Sequence, residues 1–383
     1  MLERISEPFQ HAGAPAQVQI AATRRLRQSP YTHLATAAGA SVWTIYNHML
    51  LPVAFRSQAE DYAHLKRAVQ VWDVAAERQV EISGPDATRL VQLMTPRKVV
   101  DVPTLRCLYA PICDAMGGML NDPLIVRPDE ERWWISIADT DILAFAKGIA
   151  GGLDLDVRIE EPPVYPLAVQ GPLANDLMER VFGPQVRDLK FFRAAWLTDR
   201  DGTEHLVARC GWSGQGGFEV FVEGRERCEP LWNALFEEGP DLDVRAGCPN
   251  GIERIEAGLL SYGNDMTVLD DPYQCGLGRY VDPEAECLAK EALAARIVPD
   301  RQLRGLLIEG EVPTLVARWR VDLAADGETV GHVTSAANSP DLGHGIGIAM
   351  LDQAAMEPRT EVRVVLPGGE ERPARVATLP LVR

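Results

Sequence analysis

The strongest constraint on what this chain can fold into is a phrase it uses twice. A strand pattern at Arg78–Ser83, with Val80 and Ile82 alternating against polar neighbours, runs through Gly84-Pro85-Asp86 into a helical stretch carrying Leu90, Val91 and Met94. Three strand-like segments follow, at Arg106–Cys113, Met119–Arg127 and Arg132–Ala138, the first two joined by the turn Asp114-Ala115-Met116-Gly117-Gly118. Asp139 is placed to cap the next helix, which carries Ile142, Phe145 and Ile149 and stops at Gly151-Gly152. The same order recurs from Val164–Gln170 through Gly171-Pro172, a helix ending at Gly183, strands at Leu189–Asp199, His205–Trp212 and Gly217–Glu223, and a helix at Arg227–Glu238. Apolar spacing that switches from two to 3.6 at a Gly-Pro turn, twice over, predicts two related α+β units. Beyond Arg301 the helical period disappears. Short β-rich runs at Gln302–Ile308, Thr329–Thr334, Gly347–Met350 and Glu361–Leu366 predict a small all-β barrel or sandwich. The expected domains are a flexible tail over 1–22, two α+β domains over 23–296, and the β domain over 297–383.

Size and charge bound the function. At about 100–200 residues per domain, 383 residues are enough for two or three domains. Lys+Arg 38 against Asp+Glu 55 gives 38 − 55 = −17, which repels a phosphate backbone and excludes nucleic acid as an expected partner. No apolar run reaches the roughly 18 residues of a membrane span. The polar, acidic start of the chain does not read as a secretory signal, so a cytoplasmic protein is expected. Seven cysteines without a CxxC pair are expected to be reduced structural thiols rather than metal ligands or a disulfide framework. GxSxG, HExxH and paired-His spacings are missing, which argues against hydrolases and metalloenzymes.

Four segments carry candidate chemistry. Arg209-Cys210-Gly211-Trp212-Ser213-Gly214-Gln215-Gly216-Gly217-Phe218-Glu219 has four glycines in seven residues between two strands. Either a plain long hairpin or a turn closely approached by a ligand or another backbone fits that density. A Trp at one end and a Glu at the other add a flat aromatic wall and an acceptor suited to a heterocycle with N–H donors. In Asn250–Asp265, Ile252, Ile255, Leu259 and Tyr262 share a helical face. Arg254 and Glu256 lie about 200° apart, as on a solvated charged helix that Gly263-Asn264-Asp265 would stop. Tyr46-Asn47-His48 precedes Met49-Leu50-Leu51-Pro52, where a lone His beside an apolar run is more often a satisfied structural histidine than a catalyst. Gly117-Gly118-Met119-Leu120-Asn121-Asp122-Pro123 reads as a hairpin entering a strand, with Asp122 an ordinary turn-and-strand carboxylate.

These residues together resemble the folate-dependent aminomethyltransferase (glycine-cleavage T-protein) family, and within it the tetrahydrofolate-dependent dimethylsulfoniopropionate demethylase branch. The resemblance runs from Arg24 to about Met350. It includes Tyr46–Pro52, Val71-Trp72-Asp73-Val74-Ala75-Ala76-Glu77-Arg78-Gln79-Val80, Trp134–Asp139, Gln170-Gly171-Pro172, Gly211-Trp212-Ser213, Gly247–Asn250, Ile252-Glu253-Arg254 and Leu260–Asp265. It implies an α+β, three-domain ring around a central folate channel, with the two α+β domains intertwined and a C-terminal β-barrel. It also implies folate-binding roles for Tyr109, Asp122, Trp212, Glu219 and Arg254, with Trp212 by the pterin and Glu219 accepting its ring N–H groups. The sulfonium would lie against Trp212 and Phe221, with Tyr46, Asn47 and His48 shaping the pocket. Phe221 stands where a Tyr is usual, keeping a cation–π face worth roughly 0.5–2 kcal/mol but losing the hydroxyl. Asn121 replaces a first Asp, Cys210 a Ser, and Ala289 a Gly.

The implied reaction moves a methyl group from dimethylsulfoniopropionate to N5 of tetrahydrofolate, with Asp122 orienting the folate or accepting a proton. No metal or redox cofactor is implied. The partners are a small sulfonium or betaine-like substrate and, for the oligomer, a second copy of the chain. The anionic glutamate tail of the folate calls for basic residues at the channel mouth, with Arg24, Arg25 and Arg27 the candidates. The alternatives are a folate-dependent enzyme for another methyl donor (a betaine, a methylated glycine, an aryl methyl ether) and a non-catalytic folate-binding protein.

Overall fold

The computed structural model describes residues 23–313 and 318–382, so the tail expected over 1–22 lies outside the described residues. The chain forms two compact units, one of residues 27–254 and 261–298, the other built on 255–260 and the chain from 299 onward.

In the larger unit the doubled phrase becomes two helix-covered sheets. The first sheet is antiparallel, in the order Arg158–Glu160, Gln79–Ser83, Arg132–Ser136, Leu124–Val126, Cys107–Tyr109. Helices Ala87–Met94 and Ile142–Gly152 cover one face, where Leu90, Val91, Met94 and Ile142 meet Val80, Ile82, Trp133 and Ile135. The second sheet runs Ala194–Thr198, Glu204–Ala208, Gly217–Glu223, Val164–Gln170, Gln70–Asp73, Arg245–Gly247, antiparallel except for its last pair. Helices Ala174–Phe182 and Cys228–Glu238 bring Leu177, Met178, Val181 and Leu231 onto Val169, Val220 and Val222. Because successive strand side chains point to opposite faces, the uncovered faces present Trp134 from one sheet and Leu206 and Phe221 from the other. These meet in a small core with Cys107 and Cys210. The uncovered faces therefore meet each other, and the polar residues on them define the site.

Local details depart from the expectations. The segment Arg106–Cys113 is not one strand: Cys107–Tyr109 belongs to the first sheet, while Ile112–Cys113 pairs with Met119–Asn121 as a separate ladder. Pro111, which has no N–H to give a ladder, stands between them. Asp139 does not cap the following helix. Asp141 does, accepting from Ala144 N, while Asp139 Oδ1 accepts from Asn47 N at 2.7 Å.

In the smaller unit the β-rich tail closes into a barrel in the order Arg301–Ile308, His344–Asp352, Thr329–Ser339, Trp319–Leu323, Glu361–Val365, Glu371–Ala377. Trp319–Leu323 and Glu371–Ala377 lacked a sequence signal of their own. Leu306, Val321, Val333, Leu351 and Val364 fill the barrel interior. The seven cysteines are all free thiols, six of them buried. No helix among the described residues is long and apolar enough to cross a membrane.

Candidate functional site

Strand Gly217–Glu223 turns Phe218, Val220 and Val222 toward the helices, which places Glu219 and Phe221 on the opposite face. Glu219 is only 7% exposed, and its Oε2 has no hydrogen-bond partner among the described residues. Burial pushes its carboxyl up to about 7, opposed by a hydrogen bond from the Cys210 thiol. Phe221 is fully buried, its ring 5.9 Å from that of Trp134. That corrects the expectation that Phe221 offers a face to the substrate: its ring is core between the two sheets.

The glycines before Glu219 are explained by packing. A Cβ on Gly211 would sit 2.1 Å from the Gln170 amide, and one on Gly217 2.4 Å from the Val169 carbonyl, with φ at +153° and +152°. Gln170 fills that space and pins the loop, donating to the Cys210 and Phe218 carbonyls and accepting from Ser213 Oγ. Another backbone and side chain approach the loop, and this close approach presents Trp212, half-buried, at its edge. The Arg254 guanidinium lies 5.7 Å from the Trp212 ring centre and donates through Nη1 to Asp265 Oδ2 at 2.8 Å. Ser261 N donates to the same oxygen. Arg254 and Glu256 are both buried, so this is no solvated helix. The helix ends at Glu256, and the chain turns at Gly258, φ +67°, rather than continuing to Tyr262. Glu256 belongs with the barrel, where its carboxylate accepts from Ser339 Oγ.

On the first sheet, Tyr109 donates its hydroxyl to Asp122 Oδ2 at 2.8 Å. Burial pushes the Asp122 carboxyl up to about 7; the Tyr109 bond opposes the rise and the charge of Asp265 adds to it. Asn121 next door is buried and fully committed. Its Nδ2 donates to the Ala138 carbonyl and Thr140 Oγ1, and its Oδ1 accepts from Ala138 N. A carboxylate there could not donate to that carbonyl.

A third carboxylate had no sequence signal. Glu77 sits in the turn between strands Gln70–Asp73 and Gln79–Ser83, and its carboxyl is raised well above the usual range by burial, then by the charges of Glu219 and Asp122. Tyr46 is raised by burial and by Asp122, Glu77 and Asp139, so it borders the same group. Asn47 is buried and structural: both Nδ2 hydrogens go to carbonyls, of Ala76 and Ile137 at 3.0 Å, which holds the Glu77 turn. Its side chain has no donor left for a substrate. His48 is exposed, with φ +62°, and its carbonyl accepts from Arg27 N. Of the residues singled out from sequence, the structure thus gathers Tyr46, Tyr109, Asp122, Trp212, Glu219 and Arg254 into this unit's polar site, commits Asn47 and Phe221 to structure, and leaves His48 on the surface.

Such a site holds three mutually repelling carboxyls, at least two of them titrating near neutrality, among tyrosines and a clamped tryptophan. It suits a ligand with N–H donors or a positive centre, and it can take up a proton at neutral pH. The fold and this site define a folate-family aminomethyltransferase architecture, and comparison with known proteins agrees. Residues 31–285 match the GCVT N-terminal domain and 301–382 the glycine cleavage T-protein C-terminal barrel domain, so the chain belongs to the glycine-cleavage T-protein family. Among its relatives, the dimethylsulfoniopropionate demethylase DmdA of Ruegeria pomeroyi is 52% identical over 349 residues, 91% of this chain and 95% of the relative. An aminomethyltransferase of Streptomyces avermitilis is 30% identical, covering 87% and 91%. The crystal structure of the glycine cleavage aminomethyltransferase of Bartonella henselae superposes with a TM-score of 0.83 at 21% identity, covering 93% of this chain and 98% of that one.

Proposed function

We propose that this chain transfers the S-methyl group of dimethylsulfoniopropionate to N5 of tetrahydrofolate, giving 3-methylthiopropionate and 5-methyltetrahydrofolate. The 52% identity to a dimethylsulfoniopropionate demethylase across nearly the whole chain carries this reading. The site fits the folate on a separate ground: the buried Glu219 Oε2 lacks a donor, and the N–H edge of a pterin supplies one.

Tetrahydrofolate, when bound, supplies the nucleophilic nitrogen. Glu219 would accept from the pterin ring, and Trp212, held by Arg254 and Asp265, would wall it. The substrate brings a sulfonium, and a cation in the midst of Glu77, Asp122 and Glu219 would favour their ionised forms and be attracted by them. The leaving group is a neutral thioether and needs no acid, so positioning and exclusion of water carry most of the rate. Each methyl transferred from sulfur to a secondary amine releases one proton, and Asp122, titrating at about 7, would accept it. Seven free thiols fit a reducing, cytoplasmic setting.

The test is anaerobic NMR of the purified protein with tetrahydrofolate and dimethylsulfoniopropionate, with glycine betaine and dimethylglycine in parallel. Equal amounts of 3-methylthiopropionate and 5-methyltetrahydrofolate are expected. Turnover of another donor with none of the sulfonium would refute the substrate while keeping the folate site.

A further inference from the structure

In this acidic chain many arginines sit within reach of a carboxylate, and two that do not, Arg97 and Arg279, meet at one ring. Arg97 and Arg279 place their guanidinium carbons 4.9 and 4.8 Å from the centre of the Tyr280 ring. Tyr280 packs edge-on against Tyr109 at 5.4 Å, and Arg97 Nη1 donates to the Tyr109 carbonyl. Arg106 and Arg279 are close enough to Arg97 for their charges to lower its proton affinity. Arg97, Arg106 and Arg279 form no ion pair among the described residues. Arg27, by contrast, a candidate for the mouth of a folate channel, donates to both carboxylate oxygens of Glu161. Three like charges held together without a counter-ion, in a protein of net charge −17, are unfavourable unless an anion joins them.

The cluster also has a direction. Tyr109 reaches into the carboxylate site through Asp122, Arg97, Arg106 and Tyr280 are half-buried, and Arg279 is exposed. It therefore leads from the site to solvent. We propose that Arg97 and Arg279, which meet at Tyr280, together with the neighbouring Arg106, bind the carboxylates of the folate's glutamate tail. This rests on the folate reading above and deepens it. A planar guanidinium matches a carboxylate with two parallel hydrogen bonds, and two or three of them match a γ-linked chain that presents one carboxylate per added residue. The carboxylate of the methyl donor has the same chemistry, but it must stay inside with its sulfonium, whereas this cluster opens outward.

The experiment is equilibrium binding by tryptophan fluorescence, with tetrahydrofolate carrying one glutamate or three, at two salt concentrations. Wild type is expected to bind the triglutamate about tenfold more tightly, less so at high salt, since partly exposed ion pairs are screened. In the double variant R106Q/R279Q the preference falls to about twofold or less, with unchanged melting, while R106K/R279K restores most of it. R24Q/R25Q keeps the wild-type preference. A preference that survives in R106Q/R279Q, or one lost in R24Q/R25Q instead, overturns the assignment. So does a KM rise for the sulfonium with the glutamate preference intact, which gives the cluster to the donor's carboxylate. If neither folate binds wild type, the folate reading itself fails.

Discussion

The two halves of the large unit deliver the same kit of parts and finish it differently. Each places an aromatic residue before a glycine turn and a carboxylate after it: Tyr109, Gly117-Gly118 and Asp122 in the first, Trp212, Gly216-Gly217 and Glu219 in the second. Both carboxyls are pushed to about 7 by burial. In the first half the aromatic completes the carboxylate, since the Tyr109 hydroxyl donates to Asp122. In the second the aromatic lies beside the Arg254 guanidinium, and Glu219 keeps one oxygen without a donor among the described residues. A buried acceptor left without a donor costs about 1–3 kcal/mol, which a ligand recovers on binding. The partnered carboxylate is thus equipped to exchange a proton and the unpartnered one to hold a ligand.

Glu219 should therefore give the largest effect. E219Q keeps the shape but replaces a charge-capable acceptor with an amide that also presents donors, and should weaken tetrahydrofolate binding by about 100-fold, from the loss of charge-assisted hydrogen bonds. Calorimetric titration checks it, and an affinity within threefold of wild type would end the distinction drawn between the two halves. Asp122 should act on rate instead. D122N retains an acceptor for Tyr109 and should lower kcat by about tenfold with little change in the folate KM, at the low end for a lost proton acceptor. Y109F refines this: without the hydroxyl that favours the ionised form, Asp122 titrates higher, and the acid limb of the kcat profile should move to higher pH. A fall in binding equal to that of E219Q would make Asp122 a ligand-holding group as well.

What the sequence reveals and conceals here follows from the range of the interactions. The doubled phrase is local: period changes and glycine turns announce it, and Trp212 and Glu219 stand out by their glycines. Strand alternation correctly puts Phe221 on the same face as Glu219. It does not say that the ring lies against Trp134 from the other sheet, and the resemblance alone set Phe221 beside the sulfonium. Glu77 is silent because its turn is defined by Asn47 from far upstream and its neighbours, Asp122 and Glu219, come from different sheets. The stop at Gly258 was missed for a similar reason. The helical apolar spacing continues to Tyr262, but at Gly258 itself Leu379 and Pro380 leave no room for a side chain.

The smallest expected effect tests the same asymmetry through stability. Glu219 titrates at about 7 in the fold against 4.5 ordinarily, so the folded state binds its proton more tightly than the unfolded state does. Its contribution is full below about pH 4.5 and is lost as pH rises through about 7, reaching on the order of 3 kcal/mol at 1.36 kcal/mol per unit. Asp122 has the same sign, moderated by Tyr109, and so has Asp73, at about 6. The buried His64 and His205 and the half-buried His332, all lowered by burial, act oppositely and gain stability as pH rises toward 6.5. The melting temperature of wild type alone therefore mixes the two, but its difference from E219Q cancels the histidines. Without ligand, that difference should fall by a few degrees between pH 5 and 8, wild type becoming the less stable partner. The matching difference from D122N should fall by at least as much, because the Asp122 carboxyl rises further, from 3.8 to about 7, with the opposing Tyr109 bond already counted. A smaller fall for D122N would mean that Tyr109 favours ionised Asp122 more strongly than this, and a flat E219Q difference would mean that Glu219 is ionised throughout.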